Sequence, residues 1–154
     1  MEITEFLGYF KEGSFVGQVR SKIKDKVLDE MVNNISRSWN LKDALLISDM
    51  LKRREKLGST GIGYGIAIPH GRTISVPNLL VAYGHSKKGI DFDAIDNNPV
   101  HKIFMIIAPP QEQSNVYLPF LGKLVEILKS EDVRDSLDTA KSTEELNDAL
   151  AGGF

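Results

Sequence analysis

The sequence contains one segment that is apolar almost throughout, from Val100 to Ala108. Its purely apolar part, residues 103–108, is much shorter than the roughly 20 residues that a membrane-spanning helix needs. An apolar segment of this length is typical of a strand whose two faces are both covered by other elements. Turn-forming residues, 96–99, precede it. We therefore predict a sheet with helices packed on both of its faces.

Amphipathic segments on both sides of this strand predict the helices that cover it. Asn40 is the expected N-cap of a helix that ends at Gly58. Pro119 must lie close to the start of another helix, because a proline inside a helix removes a hydrogen bond. The predicted helices are residues 2–10, 22–35, 41–57, a helix ending at 129, 132–139 and 143–150, and the predicted strands are 15–19, 66–68, 79–83, 90–92 and 100–108. Because helices flank strands at both ends without a linker or repeat, this order predicts a single-domain α/β sandwich over residues 1–154.

The charge balance and the absence of cysteine exclude several classes of function. The 19 basic and 21 acidic residues give a formal net charge of −2, so no overall positive field attracts nucleic acid. Without cysteine there is no disulfide framework, thiolate metal site, iron–sulfur cluster or cysteine nucleophile. The acidic N-terminal segment lacks the basic and apolar regions of a secretory signal. We expect a cytoplasmic protein that neither inserts into a membrane nor binds nucleic acid.

His70 is the leading candidate for chemistry. It follows a short apolar segment, residues 66–68, and stands between Pro69 and Gly71. Proline fixes the backbone before it and glycine permits a sharp exit, so the side chain should leave the end of a buried strand on a rigid backbone. Ligand sites of α/β sheets commonly form at such strand ends. With a reference pKa near 6.5, a histidine is mostly neutral at pH 7 and can act as a nucleophile, a base or a metal ligand.

An arginine and a hydroxyl-rich turn accompany His70 in the sequence. Arg54 continues the apolar stripe of its helix and so should project from the core-facing side. It either complements the helix macrodipole or offers a guanidinium to a phosphoryl group held near His70, and the sequence favours neither role. Ser59 and Thr60, beside Gly61, offer hydroxyls and backbone amides that either bind phosphoryl oxygens or stabilise the turn.

Other motifs for phosphate or metal binding are incomplete. The glycine-rich segment 58–63 is followed by Tyr64 where a nucleotide-binding P-loop needs lysine, and its glycines lead into a strand rather than a helix. His85 and His101 are distant from other histidines along the chain. The acidic segment 91–96 lacks the central glycine and terminal glutamate of a calcium-binding EF-hand loop. We therefore expect neither a metal centre nor a nucleotide site.

Two stretches of the sequence resemble a known family. Residues 54–71, REKLGSTGIGYGIAIPHG, are similar to the active-site signature of the fructose/mannitol-type (type 2) IIA domains of the bacterial phosphotransferase system. Residues 92–100, FDAIDNNPV, followed by the apolar strand and Pro109, resemble the same family and in particular its nitrogen-regulatory branch. The resemblance covers most of the chain and is strongest between Arg54 and Pro109. It implies an α/β sandwich with a mixed sheet covered by helices.

The resemblance also implies roles for particular residues. His70 would be phosphorylated by a small histidine-phosphocarrier protein of the HPr type, and Arg54 would steady the transferred phosphoryl group. No metal or nucleotide cofactor is implied. Tyr117 occupies the position at which the family usually has a second histidine near the phosphorylated one. Tyrosine keeps a hydroxyl donor but, with a reference pKa near 10, cannot supply a titrating cation at neutral pH.

We therefore expect a phosphocarrier that accepts a phosphoryl group on His70 from an HPr-like protein. A regulatory role of the nitrogen or potassium type is the first hypothesis, because the sequence ends at Phe154 without a linker to a permease domain. Two alternatives stay open: a regulatory protein-binding module whose phosphorylation is weak or lost, and a sugar-specific IIA subunit that passes the phosphoryl group to a IIB protein. The expected partners are an HPr-like donor and either a regulatory target or a IIB subunit.

Overall fold

The computed structural model describes residues 1–112 and 115–154, and within these ranges the chain forms six helices and six strands. The helices are α1 (Ile3–Leu7), α2 (Lys24–Ser38), α3 (Ala44–Leu57), α4 (Tyr117–Leu128), α5 (Glu131–Thr139) and α6 (Thr143–Ala151). The strands are β1 (Phe15–Gln18), β2 (Gly61–Gly63), β3 (Ile66–Ala67), β4 (His70–Arg72), β5 (Leu80–Ile90) and β6 (Val100–Ala108). No helix in the described ranges is long and apolar enough to cross a bilayer.

These strands form one mixed sheet, and β6 is its central strand. β6 runs antiparallel to β5 and parallel to both β3 and β4. β1 pairs parallel with β5 at one edge, and β2 pairs antiparallel with β3 at the other. The register of β4 aligns His70 with Ile106, in the second half of β6. A mixed sheet flanked by helices confirms the predicted fold class.

Alternate side chains of β6 pack into two separate cores, one on each face of the sheet. Residues 103, 105 and 107 lie in the core that α2 and α3 cover. Residues 104, 106 and 108 lie in the other core, which α1, α4, α5 and α6 cover. All six side chains are buried, which explains why this part of the strand has an apolar residue at each position.

The start of α3 differs from the predicted one. This helix begins at Ala44 with Asp43 as its N-cap, so the prediction that Asn40 caps it was wrong. Asn40 has a φ of 53° just beyond the end of α2, and the Leu41 N–H donates to the Ser36 carbonyl at 2.9 Å. A left-handed residue followed by this hydrogen bond is a Schellman ending, in which asparagine is tolerated. Asn40 therefore ends one helix instead of beginning the next.

The strand predicted at residues 66–68 is one residue shorter in the structure, and a second strand, which was not predicted, begins just after Pro69. β3 ends at Ala67 and β4 begins at His70, so His70 is the first residue of a strand and does not follow the end of one. Pro69 has no N–H to donate, but its carbonyl accepts from the Ile106 N–H at 2.9 Å. This hydrogen bond keeps the chain alongside β6 as it approaches His70.

β5 joins two predicted strands, residues 79–83 and 90–92, into one element that ends at Ile90. Its pairing with β6 is irregular between His85 and Ile90, and Gly89 takes a φ of 90° there. A bulge of this kind lets a strand continue past a mismatch in register. β5 therefore continues through the polar residues between the two apolar segments, and its pairing is irregular only between His85 and Ile90.

His85 connects β5 with β1 and α5 through polar contacts. Its Nδ1 accepts from the Gln18 amide at 2.8 Å, and its Nε2 lies 3.7 Å from Asp138. Asp138 also pairs with Lys102 of β6 at 2.6 Å. Burial and the charge of Lys102 lower the pKa of His85, although Asp138 opposes them. The folded chain therefore takes up a proton on His85 less readily than the unfolded chain does.

We expect His85 to contribute to a loss of stability in mild acid. The unfolded chain binds a proton near the reference pKa of about 6.5, whereas the folded chain binds it only at lower pH, so protonation in this window favours unfolding. His85→Gln removes this titration and should reduce the fall in the free energy of unfolding between about pH 7.5 and pH 5.5. Urea unfolding across this range measures the effect. An equal fall in the variant and the parent would contradict it.

Candidate functional site

His70 lies half-buried at the start of β4, close to α3 and to the first residue of α4. Its Nδ1 is 2.6 Å from the carbonyl oxygen of Ile68. A carbonyl oxygen only accepts hydrogen bonds, so Nδ1 carries the proton and the lone pair of the neutral ring is on Nε2. His70 therefore presents Nε2 as a nucleophile or a base.

Gly71 allows the backbone of β4 to lie directly beneath α3. A Cβ atom at this position would overlap the sulfur of Met50, which α3 contributes. On the other side, the register of β4 with β6 pairs Gly71 with Ile107. The backbone next to His70 thus packs against the Met50 side chain on one side and pairs with the central strand on the other.

Tyr117 lies beside His70, with 6.3 Å between the two ring centroids. As the first residue of α4, it donates its N–H to the Glu112 carboxylate at 2.8 Å, which satisfies one of the free donors of that helix end. Burial raises the pKa of Tyr117, although the nearby charges of Arg72 and Arg54 oppose this rise. The phenol therefore stays protonated at neutral pH and can donate a hydrogen bond beside His70.

Arg72 joins the site, although the sequence motifs do not point to it. It stands two residues after His70 in β4, so both side chains project from the same face of the strand. Its guanidinium carbon lies 4.6 Å from the centroid of the Tyr117 ring, and its Nη1 donates to the Pro109 carbonyl at 2.9 Å. The sequence could have revealed Arg72 only if His70 had been assigned to a strand, because residues two apart in a strand lie on the same face.

Arg54 lies half-buried in the last turn of α3. Its Nη1 donates to the Gly58 carbonyl at 2.8 Å, a contact typical of a cation at the end of a helix. Glu55, and not Arg54, takes the buried position of this turn. The Arg54 charge also opposes the rise in the pKa of Tyr117, so its guanidinium lies within electrostatic reach of that ring.

Ser59, Thr60 and Gly61 form a turn whose polar groups already have partners within the protein. The Ser59 hydroxyl donates to the Phe92 carbonyl and accepts from the Gly61 N–H at 3.0 Å. Thr60 donates from both its hydroxyl and its N–H to the Glu55 carboxylate. Phosphoryl oxygens would have to replace these acceptors, so the phosphate-binding role of the turn stays a prediction.

The site combines one nucleophilic nitrogen with a phenol and two guanidinium groups. Guanidinium groups and hydroxyls are the donors that suit the oxygens of a phosphoryl group. A neutral imidazole nitrogen is in turn a suitable acceptor for phosphorus. Residues 1–112 and 115–154 contain no group of three or more histidine and acidic side chains that could hold a metal ion.

Comparison with known sequences places this chain in a family. Residues 9–152 match the family described as phosphoenolpyruvate-dependent sugar phosphotransferase system, EIIA 2. The fructose-specific EIIABC component of the phosphotransferase system of Bacillus subtilis is 37% identical over 150 residues. This match covers 97% of the chain, which spans 23% of the length of that component.

Several solved structures share the fold, including the following two. The nitrogen regulatory protein IIA-Ntr from Neisseria meningitidis has a TM-score of 0.81 at 32% identity, with coverage of 91% of this chain and 94% of that one. Enzyme IIAMtl of Escherichia coli, solved in complex with phosphorylated enzyme IIBMtl, has a TM-score of 0.72 at 22% identity, with coverage of 92% and 95%, and shows the fold alone. The chain belongs to the EIIA 2 family of the phosphoenolpyruvate-dependent sugar phosphotransferase system.

Proposed function

We propose that this chain is a histidine phosphocarrier and that Nε2 of His70 accepts the phosphoryl group. The bond between phosphorus and the donor imidazole breaks, its electron pair returns to the donor ring, and a bond forms between phosphorus and Nε2. The proton on Nδ1 stays hydrogen-bonded to the Ile68 carbonyl throughout. The observation that carries the proposal is this 2.6 Å hydrogen bond, because it leaves the reacting lone pair on Nε2 without the need for a base.

Donors around His70 would stabilise the oxygens of the bound phosphoryl group. Arg54 and Arg72 supply positive charge, and the Tyr117 hydroxyl supplies a neutral donor. A hydrogen bond between a guanidinium and a phosphoryl oxygen contributes about 1.5 to 3 kcal/mol. Phosphoryl transfer depends mainly on positioning and on such charge stabilisation, which these side chains provide without a cofactor in the proposal.

Incubation with phosphorylated HPr-like carrier protein tests this function. Intact-mass spectrometry should show one added phosphoryl group that is lost in acid and retained in alkali, as expected for a bond between phosphorus and nitrogen. Fragmentation should assign the group to His70. The lack of an adduct with an active donor would contradict the proposal and favour the alternative of a protein-binding module.

The phosphoryl donor in this proposal is an HPr-like protein of the cytoplasm, and the phosphorylated state of the chain acts as a signal for a regulatory target. The similarity to IIA-Ntr, at 32% identity over nearly the whole chain, supports this regulatory role. In this role the chain would keep its phosphoryl group until it binds the target protein or gives the group back to the carrier protein.

A sugar-specific role is the second candidate, in which the chain passes its phosphoryl group to a IIB protein. The 37% identity with a fructose-specific component favours it, and IIAMtl, which shares the fold, is solved with a phosphorylated IIB. Adding purified IIB proteins to the phosphorylated chain separates the two roles. Rapid discharge to one of them supports the sugar-specific role, and retention with all of them supports the regulatory role.

We expect Tyr117→His to accelerate phosphoryl acceptance by about fivefold near pH 6.5, because an imidazolium donates a charge-assisted hydrogen bond. The phenol of Tyr117, whose pKa burial raises, donates only as a neutral group. Rapid-quench kinetics with the phosphorylated carrier measures the rate. Tyr117→Phe, which keeps the ring and removes the hydroxyl, should be slower than the parent. A Tyr117→His variant no faster than the parent would show that tyrosine is not a handicap.

A further inference from the structure

Glu55 is a buried carboxylate that the proposed phosphoryl transfer does not use. The residue is 6% exposed, and both of its oxygens accept hydrogen bonds. Oε2 accepts from the Lys24 ammonium at 3.1 Å and from the Thr60 N–H at 3.3 Å, and Oε1 accepts from the Thr60 hydroxyl. A buried carboxylate is unfavourable unless such donors satisfy it. The same contacts fix Thr60 relative to α2 and α3.

Hydrogen bonds continue from Thr60 to the imidazole of His70. The Thr60 carbonyl accepts from the Ile68 N–H at 3.0 Å, and the Ile68 carbonyl accepts from Nδ1 of His70 at 2.6 Å. Thr60 is 4% exposed and Ile68 is 2% exposed, so solvent has little access to the hydrogen bond between these two residues. The hydrogen bond from Ile68 to Thr60 is therefore one of the contacts that position the Ile68 carbonyl, together with the pairing of β3 and of the Pro69 carbonyl with β6.

A second set of contacts anchors the same turn. The Lys24 ammonium lies 5.1 Å from the centroid of the Phe92 ring and 3.8 Å from Asp93. The Phe92 carbonyl accepts from the hydroxyl of Ser59, the residue before Thr60. The turn is thus fixed on one side by α2 and α3 and on the other by the segment that follows β5.

We propose that Lys24 and Glu55, acting through Thr60, hold the Ile68 carbonyl in the position that keeps the proton of His70 on Nδ1. This inference rests on the proposed function of His70 as the phosphoryl acceptor. Glu55 is a positioning residue, because it acts on the imidazole through Thr60 and Ile68. A neutral imidazole without a fixed acceptor divides between two tautomers, and the one protonated on Nε2 has no lone pair there for phosphorus. Loss of the link lowers the fraction of molecules able to react.

Three variants of the full chain test the link. Glu55→Gln removes the charge at nearly constant size, and Thr60→Val removes the hydroxyl donor while the pair of Lys24 and Glu55 is retained. Asp29→Asn is the matched control, because it breaks the 2.8 Å pair between Lys52 and Asp29, which also joins α3 to α2. Urea unfolding first confirms which variants are folded. Thr60→Val keeps the test decisive if Glu55→Gln does not fold.

Nitrogen-15 NMR of the imidazole reports the tautomer of His70 directly. The parent and the Asp29→Asn control should show the proton on Nδ1, and Glu55→Gln and Thr60→Val should show both tautomers. In these two variants we expect the maximal rate of phosphoryl acceptance to fall about tenfold, as for other residues that orient a reacting side chain. The donor concentration that gives half of the maximal rate should stay unchanged.

An unchanged tautomer or an unchanged maximal rate in folded Thr60→Val overturns the proposal. The same outcome in Glu55→Gln, where that variant folds, overturns it as well. Failure of the proposed function has a different signature, since the parent itself would then accept no phosphoryl group. In that case the tautomer measurement still decides whether Glu55 positions the imidazole.

Discussion

Replacing His70 with glutamine is expected to abolish phosphoryl acceptance. Glutamine is close to histidine in size and can hydrogen-bond to the Ile68 carbonyl, but its amide nitrogen has no lone pair available for phosphorus. We expect the rate to fall by a factor on the order of 10³ or more, as when a nucleophile is removed. Intact-mass spectrometry after incubation with phosphorylated HPr-like carrier gives the occupancy of the parent and the variant.

The other two histidines provide matched controls for this experiment. His85 accepts a hydrogen bond from Gln18, and Nδ1 of His101 lies 2.8 Å from the Ser86 carbonyl, so each ring has a structural partner away from the Ile68 carbonyl. His85→Gln and His101→Gln should therefore be phosphorylated like the parent. If the adduct persists in His70→Gln and disappears in one of these variants, the histidine replaced in that variant is the acceptor.

Arg54→Ala is expected to slow phosphoryl acceptance by about 10- to 150-fold, which corresponds to the loss of about 1.5 to 3 kcal/mol from one charge-assisted hydrogen bond in the transition state. The effect on folding should be much smaller. Removal of a cation from the end of a helix costs about 0.3 to 1 kcal/mol of stability. Rapid-quench kinetics and urea unfolding on the same preparation separate the two effects.

Arg53→Ala is the control for Arg54, because it removes the same charge one residue earlier in α3. Arg53 is exposed, and its Nε donates to the Asp49 carbonyl at 3.4 Å. We expect this variant to accept the phosphoryl group at nearly the parental rate. Equal rates for the two variants would mean that Arg54 serves the end of the helix and not the phosphoryl group.

The layers of the fold could be predicted because they depend on local pattern. The apolar run of β6 indicates a strand that is covered on both faces. The structure confirms this, because alternate residues of β6 lie in two separate cores. The His70 segment is equally informative, since proline and glycine on either side of one histidine restrict the backbone whatever surrounds it. Patterns of this kind need no knowledge of distant contacts.

The features that could not be predicted depend on contacts that only the folded chain shows. Asn40 suits either end of a helix, and only the hydrogen bond from Leu41 back to Ser36 shows which end it serves. Arg72 belongs to the site because α4 brings Tyr117 against its guanidinium. Thr60 is engaged by Glu55, and neither residue's part in holding the turn has a signature in the sequence.

The pairing of β4 with the central strand has a consequence for the proposed exchange of a phosphoryl group between two proteins. The β4 backbone pairs with the central strand, and Nδ1 of His70 is bonded to the Ile68 carbonyl, so the ring that carries the proposed acceptor nitrogen is tied to the backbone of its own chain. If Nε2 of His70 is the acceptor, as proposed, the donor protein would have to bring its phosphorylated ring to that nitrogen. Such an exchange suits short-lived complexes between surfaces that are already complementary. Weak binding and fast dissociation then let one molecule react with many partners in turn.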